Sequence, residues 1–178
     1  AENVADEHDI TREQMDEFAL LSQTRAAAAI EAGHFTSQIT PVEVKVKRDM
    51  VPFEVDEHPT VSNLEKLSGL RAVFQKDGRV TAGNASGIND GAAAMVLATA
   101  SAAEAAGLKP KARILGYAHA GVRPEVMGIG PVPAVQNLLK KTGLSVADFD
   151  VIESNEAFAS QALAVSKELG LDPAKVNP

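Results

Sequence analysis

Residues 80–95 read VTAGNASGINDGAAAM, and the reading of this stretch decides the fold. Val80 and Thr81 are β-branched and lead into five small or turn-forming residues, Gly83 to Gly87. A polar turn follows at Asn89, Asp90 and Gly91, and then an unbroken apolar run over 92–98. Small side chains let the backbone approach a ligand or another backbone closely, and glycine tolerates tight turns. An apolar run without alternation reads as a strand buried on both faces. The segment is therefore either a ligand shelf set into a buried sheet or a device for packing two layers closely.

The flanks set the class around it. The first 79 residues are charged and irregular, whereas the remainder alternates apolar runs with helical patterns, as α/β layered domains do. Thr11 and Gln14 form a capping box ahead of a helix with Met15, Phe18, Ala19, Ser22, Ala26, Ala29 and Ile30 on one face, ended by Gly33. Val42, Val44 and Val46, then Val51, Phe53 and Val55, alternate with polar residues and predict a half-exposed hairpin turning near Arg48 and Asp49. Ser62 with Glu65, and Ser101 with Glu104, are read as helix caps. Strands are expected over 92–99, 112–120 and 150–153, and helices from Pro131 and from Asn155, the latter with Ala162, Val165 and Leu169 inward. Ser145 and Asp148 make a weaker cap.

Composition removes several function classes. The chain has 178 residues, 24 acidic and 17 basic side chains, and a formal charge of −7. That balance argues against a nucleic-acid or anionic-membrane surface, which needs clustered Lys and Arg. No apolar run approaches the ~18 residues of a membrane span. With no cysteine among the 178 residues, disulfides, thiolate metal sites and a cysteine nucleophile within them are excluded. His8, His34, His58 and His119 are scattered without metal-ligand spacing and read as surface or packing residues. Gly128 and Gly130 fall short of a dinucleotide fingerprint, and prolines follow where its helix would pack.

Chemistry points instead to the strand-to-helix junction at 153–158. In α/β sheets ligands lie beyond the carboxyl ends of strands, near the free N–H groups of helix starts. Asn155 can donate an amide hydrogen there and orient a water or a carbonyl oxygen; its bland role is to cap the helix. Glu153 and Glu156 are either an acid–base pair or dipole-compensating carboxylates.

These pieces together resemble the thiolases, the acetyl-CoA acetyltransferase and 3-ketoacyl-CoA thiolase family. The resemblance rests on residues 80–93, on Val126-Met127-Gly128-Ile129-Gly130-Pro131 and on Asn155-Glu156-Ala157-Phe158-Ala159, in the family's order. Residues 1–5, 56–59 and 175–178 are similar too, so the likeness covers essentially the whole chain. It implies an α/β fold, the thiolase-like layered αβαβα architecture in part, with an irregular α+β loop domain. Residues 1–79 would be most of the CoA-covering loop domain, 80–110 the end of the N-terminal core half, and 111–178 the start of the C-terminal half.

The resemblance further implies reversible Claisen chemistry on CoA thioesters through an acyl-cysteine, with CoA or acyl-CoA as substrate and no bound cofactor. Asn155 would hold a water that, with a histidine, forms an oxyanion hole. Ser86 would bond the pantetheine arm, and Ala85, Gly87 and Ile88 would complete the shelf. Phe74, Met127, Ala157 and Phe158 would line the acyl and pantetheine tunnel. Implied partners are the rest of the polypeptide and identical subunits in a homodimer or homotetramer, without nucleic acid or membrane, in a bacterial-like cytoplasm. The family's two cysteines and its Gly-His-Pro histidine are not in these residues, so the chain is expected to be an internal portion of a thiolase, inactive alone. A non-catalytic CoA-binding or structural fragment is the alternative for the isolated chain. Ser154 stands where an apolar residue usually precedes the asparagine, and Ala72 replaces a frequent proline. Thr60 stands where many relatives have arginine, which puts a basic contact to the CoA nucleotide in doubt.

Overall fold

The computed structural model describes residues 1–60 and 62–178. Its helices are α1 (Glu2–Glu7), α2 (Arg12–Glu31), α3 (Leu64–Ser68), α4 (Ala100–Ala105), α5 (Pro131–Thr142) and α6 (Ala159–Leu169). Strands β1 (Val42–Val46) and β2 (Asp49–Phe53) pair antiparallel, Val42 opposite Phe53 and Val46 opposite Asp49. Short 3-10 turns occupy Thr36–Gln38, Pro124–Ile129 and Val146–Asp148.

Local chemistry explains the helix ends. Thr11 and Gln14 complete the expected capping box of α2, with Gln14 N–H donating to Thr11 Oγ1 at 3.2 Å and Thr11 N–H donating to Gln14 Oε1 at 2.8 Å. Pro131 opens α5, where its missing N–H would have had no intrahelical partner, and Gly143 closes it at φ +75°. Two expected caps are displaced. Asn63, not Ser62, accepts from Lys66 N–H ahead of α3, and Thr99, not Ser101, accepts from Ala102 N–H ahead of α4. In both cases a residue in extended backbone outcompetes its neighbour, because only there does the side-chain oxygen face the N3 amide.

The core lies where α1, α2 and α6 meet the chain at Val80. Ala5, Ile10, Met15, Val80 and Ala159 form one buried cluster, flanked by Phe18, Ala85 and Phe158. Val4, Val126 and Ala164 form a second, joining α1 and α6 to the 3-10 turn at Pro124–Ile129. Of the expected α2 stripe, only Met15 and Ala19 are buried, and Ile30 is exposed. Beyond Ala19 no residue of α2 is fully buried, so its apolar pattern outruns its packing.

The expected strands differ from what forms. Residues 92–99 and 112–120 make no ladder, and Val96 is 91% exposed. The 150–153 strand is reduced to a single parallel bridge between Ile152 and Val176. A strand is defined by hydrogen bonds to a neighbour, and an apolar sequence alone does not supply one. The hairpin forms with the expected turn, but Val42, Val46, Val51 and Phe53 are all exposed, so it lies outside the core instead of half within it.

Candidate active site

Two loops meet at the N-terminal end of α6. The first, 80–86, is pinned from three sides. Glu2 in α1, itself buried, accepts from Arg79 N–H and from Val80 N–H, both at 2.9 Å to Oε1. Asn84 Oδ1 accepts from Thr81 N–H at 2.8 Å, closing the turn on itself. Asp16 in α2 accepts from Asn84 Nδ2 at 2.9 Å, while its other oxygen takes Arg12 Nε at 2.7 Å. The side-chain acceptors that pin this loop therefore each have a donor, as buried polar groups require. The Arg12 guanidinium also donates to the carbonyls of Leu67 and Leu70, carrying the anchorage to α3.

The second loop, 153–158, is joined to the first by main chain. Ser86 N–H donates to Ala157 O and Ala159 N–H donates to Asn84 O, both at 3.0 Å, forming the antiparallel bridge between Ala85 and Phe158. Helix α6 starts at Ala159 with Phe158 as N-cap, so the expected start at Asn155 lies four residues too early. Asn155 consequently does not cap the helix. The Asn84 carbonyl satisfies the Ala159 amide that a local side-chain cap would otherwise serve.

Most of the expected site residues converge on these loops. Asn155, Met127, Ala157 and Phe158 line one cavity of about 540 Å³, together with Gln161, Val165 and Phe149. The walls are apolar with few polar groups, the usual make-up of a small-molecule site. Phe74 leans on Phe158 edge to face, ring centroids 6.4 Å apart. Ala85 and Ser86 line a smaller neighbouring cleft of about 190 Å³ with Ser22, His58 and Glu156. Gly87 lines neither space, and Ile88 stands fully exposed away from both.

Several site residues escaped the sequence. Glu156 is not an acid–base partner of Glu153: Ser22 Oγ donates to its Oε2 at 2.6 Å and Asn177 Nδ2 to its Oε1 at 2.7 Å. Ser22 sat as a hydroxyl in an otherwise apolar helix stripe, which is the one signal that could have pointed to a partner. His58, read from sequence as a surface or packing residue, is exposed and also lines the Ser86 cleft. Gln161 is buried with its Oε1 unpartnered among the described residues, a polar atom in the wall of the larger cavity. No cluster of three metal-ligating side chains occurs among the described residues, and no helix there is long and apolar enough to cross a membrane.

The comparisons with known proteins agree in family. The sequence pattern of the thiolase N-terminal domain matches residues 1–101, and that of the thiolase C-terminal domain matches residues 108–178. The chain is 58% identical over 180 residues to the beta-ketothiolase BktB of Cupriavidus necator, covering 100% of this chain and 46% of that protein. It is 59% identical over 178 residues to the acetyl-CoA acetyltransferase of Escherichia coli, covering 99% and 45%. It superposes on the crystal structure of the Bacillus anthracis acetyl-CoA acetyltransferase with a TM-score of 0.93 at 54% identity, covering 99% of this chain and 45% of that one. With human mitochondrial 3-ketoacyl-CoA thiolase in complex with CoA the TM-score is 0.89 at 50% identity, covering 99% and 44%. The chain thus spans a little under half the length of these relatives. Its fold is an α/β thiolase fold in part, and by sequence and structure the chain belongs to the thiolase family.

Proposed function

We propose that these residues form the CoA-binding and oxyanion-donor part of an acyl-CoA C-acyltransferase. The reaction either condenses two acyl-CoA molecules or cleaves a 3-ketoacyl-CoA with CoA. In the cleavage direction a cysteine thiolate adds to the 3-keto carbon and pushes its electron pair onto oxygen. Collapse of that oxyanion breaks the bond to the adjacent carbon, which leaves as the enolate of acetyl-CoA and takes up a proton. The thiol of a second CoA then displaces the acyl group from cysteine. The thiol nucleophile comes from outside these 178 residues, which contain none.

The observation that carries the reading is the placement of Asn155 in the wall of an apolar cavity, beside a shelf joined to it through backbone. Negative charge developing on a thioester oxygen there meets a preorganised donor, directly or through a held water. Ser86 lines the adjoining cleft together with Ala85, which supports giving it the contact to the pantetheine arm. Phe74, Met127, Ala157 and Phe158 supply the apolar wall, and Gly87 and Ile88 extend the shelf outward. Residues 1–79 serve as the loop domain over CoA, 80–110 and 111–178 as parts of the two core halves. The complete enzyme works as a homodimer or homotetramer on soluble CoA thioesters.

Steady-state kinetics on a catalytically complete thiolase carrying these residues tests the assignment. Asn155→Ala lowers kcat by about 10²-fold or more with modest change in KM, whereas Ser86→Ala raises KM with little change in kcat. Near-normal turnover by Asn155→Ala overturns the donor role.

A further inference from the structure

Among the described residues, the Asn155 side chain has no hydrogen-bond partner within the protein, and the residue is exposed. Its aim therefore has to come from the backbone that carries it. That backbone is held at Ser154 by Asn177, which also holds the side chain of Glu156 on the other flank. Ser154 N–H donates to Asn177 Oδ1 at 2.8 Å, and Asn177 Nδ2 donates to Ser154 O at 2.8 Å, so the carboxamide imitates one rung of a strand ladder. The same Nδ2 donates to Glu156 Oε1 at 2.7 Å. Asn155 sits between the two residues so gripped, and Glu153, Ser154, Asn155, Glu156 and Asn177 surround a common cleft.

The grip is itself braced. Asn177 has φ +45°, a left-handed conformation that asparagine tolerates better than most residues. Its N–H donates to Ile152 O at 3.0 Å, continuing the bridge next door. From α2, Ser22 holds the other oxygen of Glu156, and Arg25 Nη1 donates to the carbonyls of Val176 and Asn177 at 2.9 and 3.2 Å. Two segments with little regular structure are fixed to a 20-residue helix by charge-assisted hydrogen bonds, which are the stronger kind.

We infer that Asn177 is a positioning residue for Asn155, acting with Glu156 and Ser22 to fix the donor's backbone without touching substrate. The inference rests on the proposed donor role of Asn155. Removing the grip leaves the donor present but misaimed, and a displacement of about 1 Å can lower a rate by as much as 10²-fold.

The test is a double-mutant cycle in the catalytically complete enzyme. Asn177→Gly keeps the left-handed backbone accessible while deleting the carboxamide. It lowers kcat about tenfold or more and leaves KM for the CoA thioester within about twofold. In an Asn155→Ala background the same substitution changes kcat by less than about twofold, because the group it aims is already gone. Independent, multiplying losses overturn the inference, as does unchanged kcat in Asn177→Gly alone. Normal turnover by Asn155→Ala removes the donor reading itself and is distinguished by that single variant. Should Asn177→Gly not fold, Ser22→Ala runs the same cycle with a smaller kcat loss, and additivity there is equally decisive against it.

Discussion

Asn84 Nδ2 lies 2.9 Å from Asp16 Oδ1, and each residue is only 3% exposed. This one contact ties the 80–86 loop to the second turn of α2. It also explains a carboxylate inside an apolar helix face, since a buried charge must be paired and hydrogen-bonded. Asn84→Ala removes the acceptor of Thr81 N–H and a donor to Asp16 together. Its expected cost is about 2–4 kcal/mol, read from the denaturant midpoint of the complete enzyme.

Asn84→Asp gives the same site a pH dependence. Two carboxylates at that separation cannot both ionise cheaply, so one folded-state pKa rises above its unfolded value. Such a group holds its stability below the unfolded pKa and loses it as pH rises through the folded one. Asn84→Asp is thus expected to be weakest near pH 7 and to recover part of the loss near pH 4–5, relative to wild type at each pH. A deficit independent of pH contradicts the buried pairing.

Asp148 offers an acid-side counterpart. The Ser145 backbone N–H at 2.7 Å, and then its hydroxyl at 2.8 Å, donate to Asp148 Oδ2 and hold its pKa below the ordinary carboxylate value. A depressed folded pKa contributes stability above the unfolded value, and that contribution disappears as pH falls through the folded one. An NMR titration is expected to place the Asp148 midpoint below that of an unfolded aspartate. Ser145→Ala raises the midpoint only part of the way, because the backbone donor stays. A midpoint unmoved from the unfolded value contradicts the capping geometry.

The exposed apolar run at 95–97 predicts behaviour for the 178-residue chain handled by itself. Met95, Val96 and Leu97 are 78%, 91% and 68% exposed, and Ile88 nearby is fully so. Contiguous apolar surface of this kind drives association. Sedimentation velocity is expected to show concentration-dependent self-association, reduced by Val96→Asp. A compact monomer across the concentration range rules this out.

How far the sequence could be read follows the range of the forces involved. Helices α2 and α5 and the β1–β2 hairpin depend on capping, proline placement and alternation within a few residues, and all three formed where the pattern put them. The strands over 92–99 and 112–120 were misjudged because apolar content reports a preference for burial, whereas a ladder needs a partner. The α6 start was misplaced by four residues because its first amide is satisfied by Asn84, 75 positions earlier, and no local pattern encodes that. At the proposed site, family motifs single out Asn155 and Ser86. The grip of Asn177 on Ser154 and Glu156 was invisible, since an asparagine in a run of ordinary loop residues carries no sign of what it holds.

The backbone seam between Ser86 and Ala157 has a consequence for how such a site can change over evolution. Those hydrogen bonds use atoms that every residue other than proline possesses, so they survive most replacements at 85, 86, 157 or 158. The spacing between the shelf and the Ala157–Ala159 segment is thereby a property of the main chain. Under the proposed function, acyl preference would drift through the side chains of Phe74, Met127 and Phe158 while this main-chain spacing stays constant. The fixed ruler is built from main-chain atoms of Asn84, Ser86, Ala157 and Ala159, and the variable wall from the side chains of their neighbours.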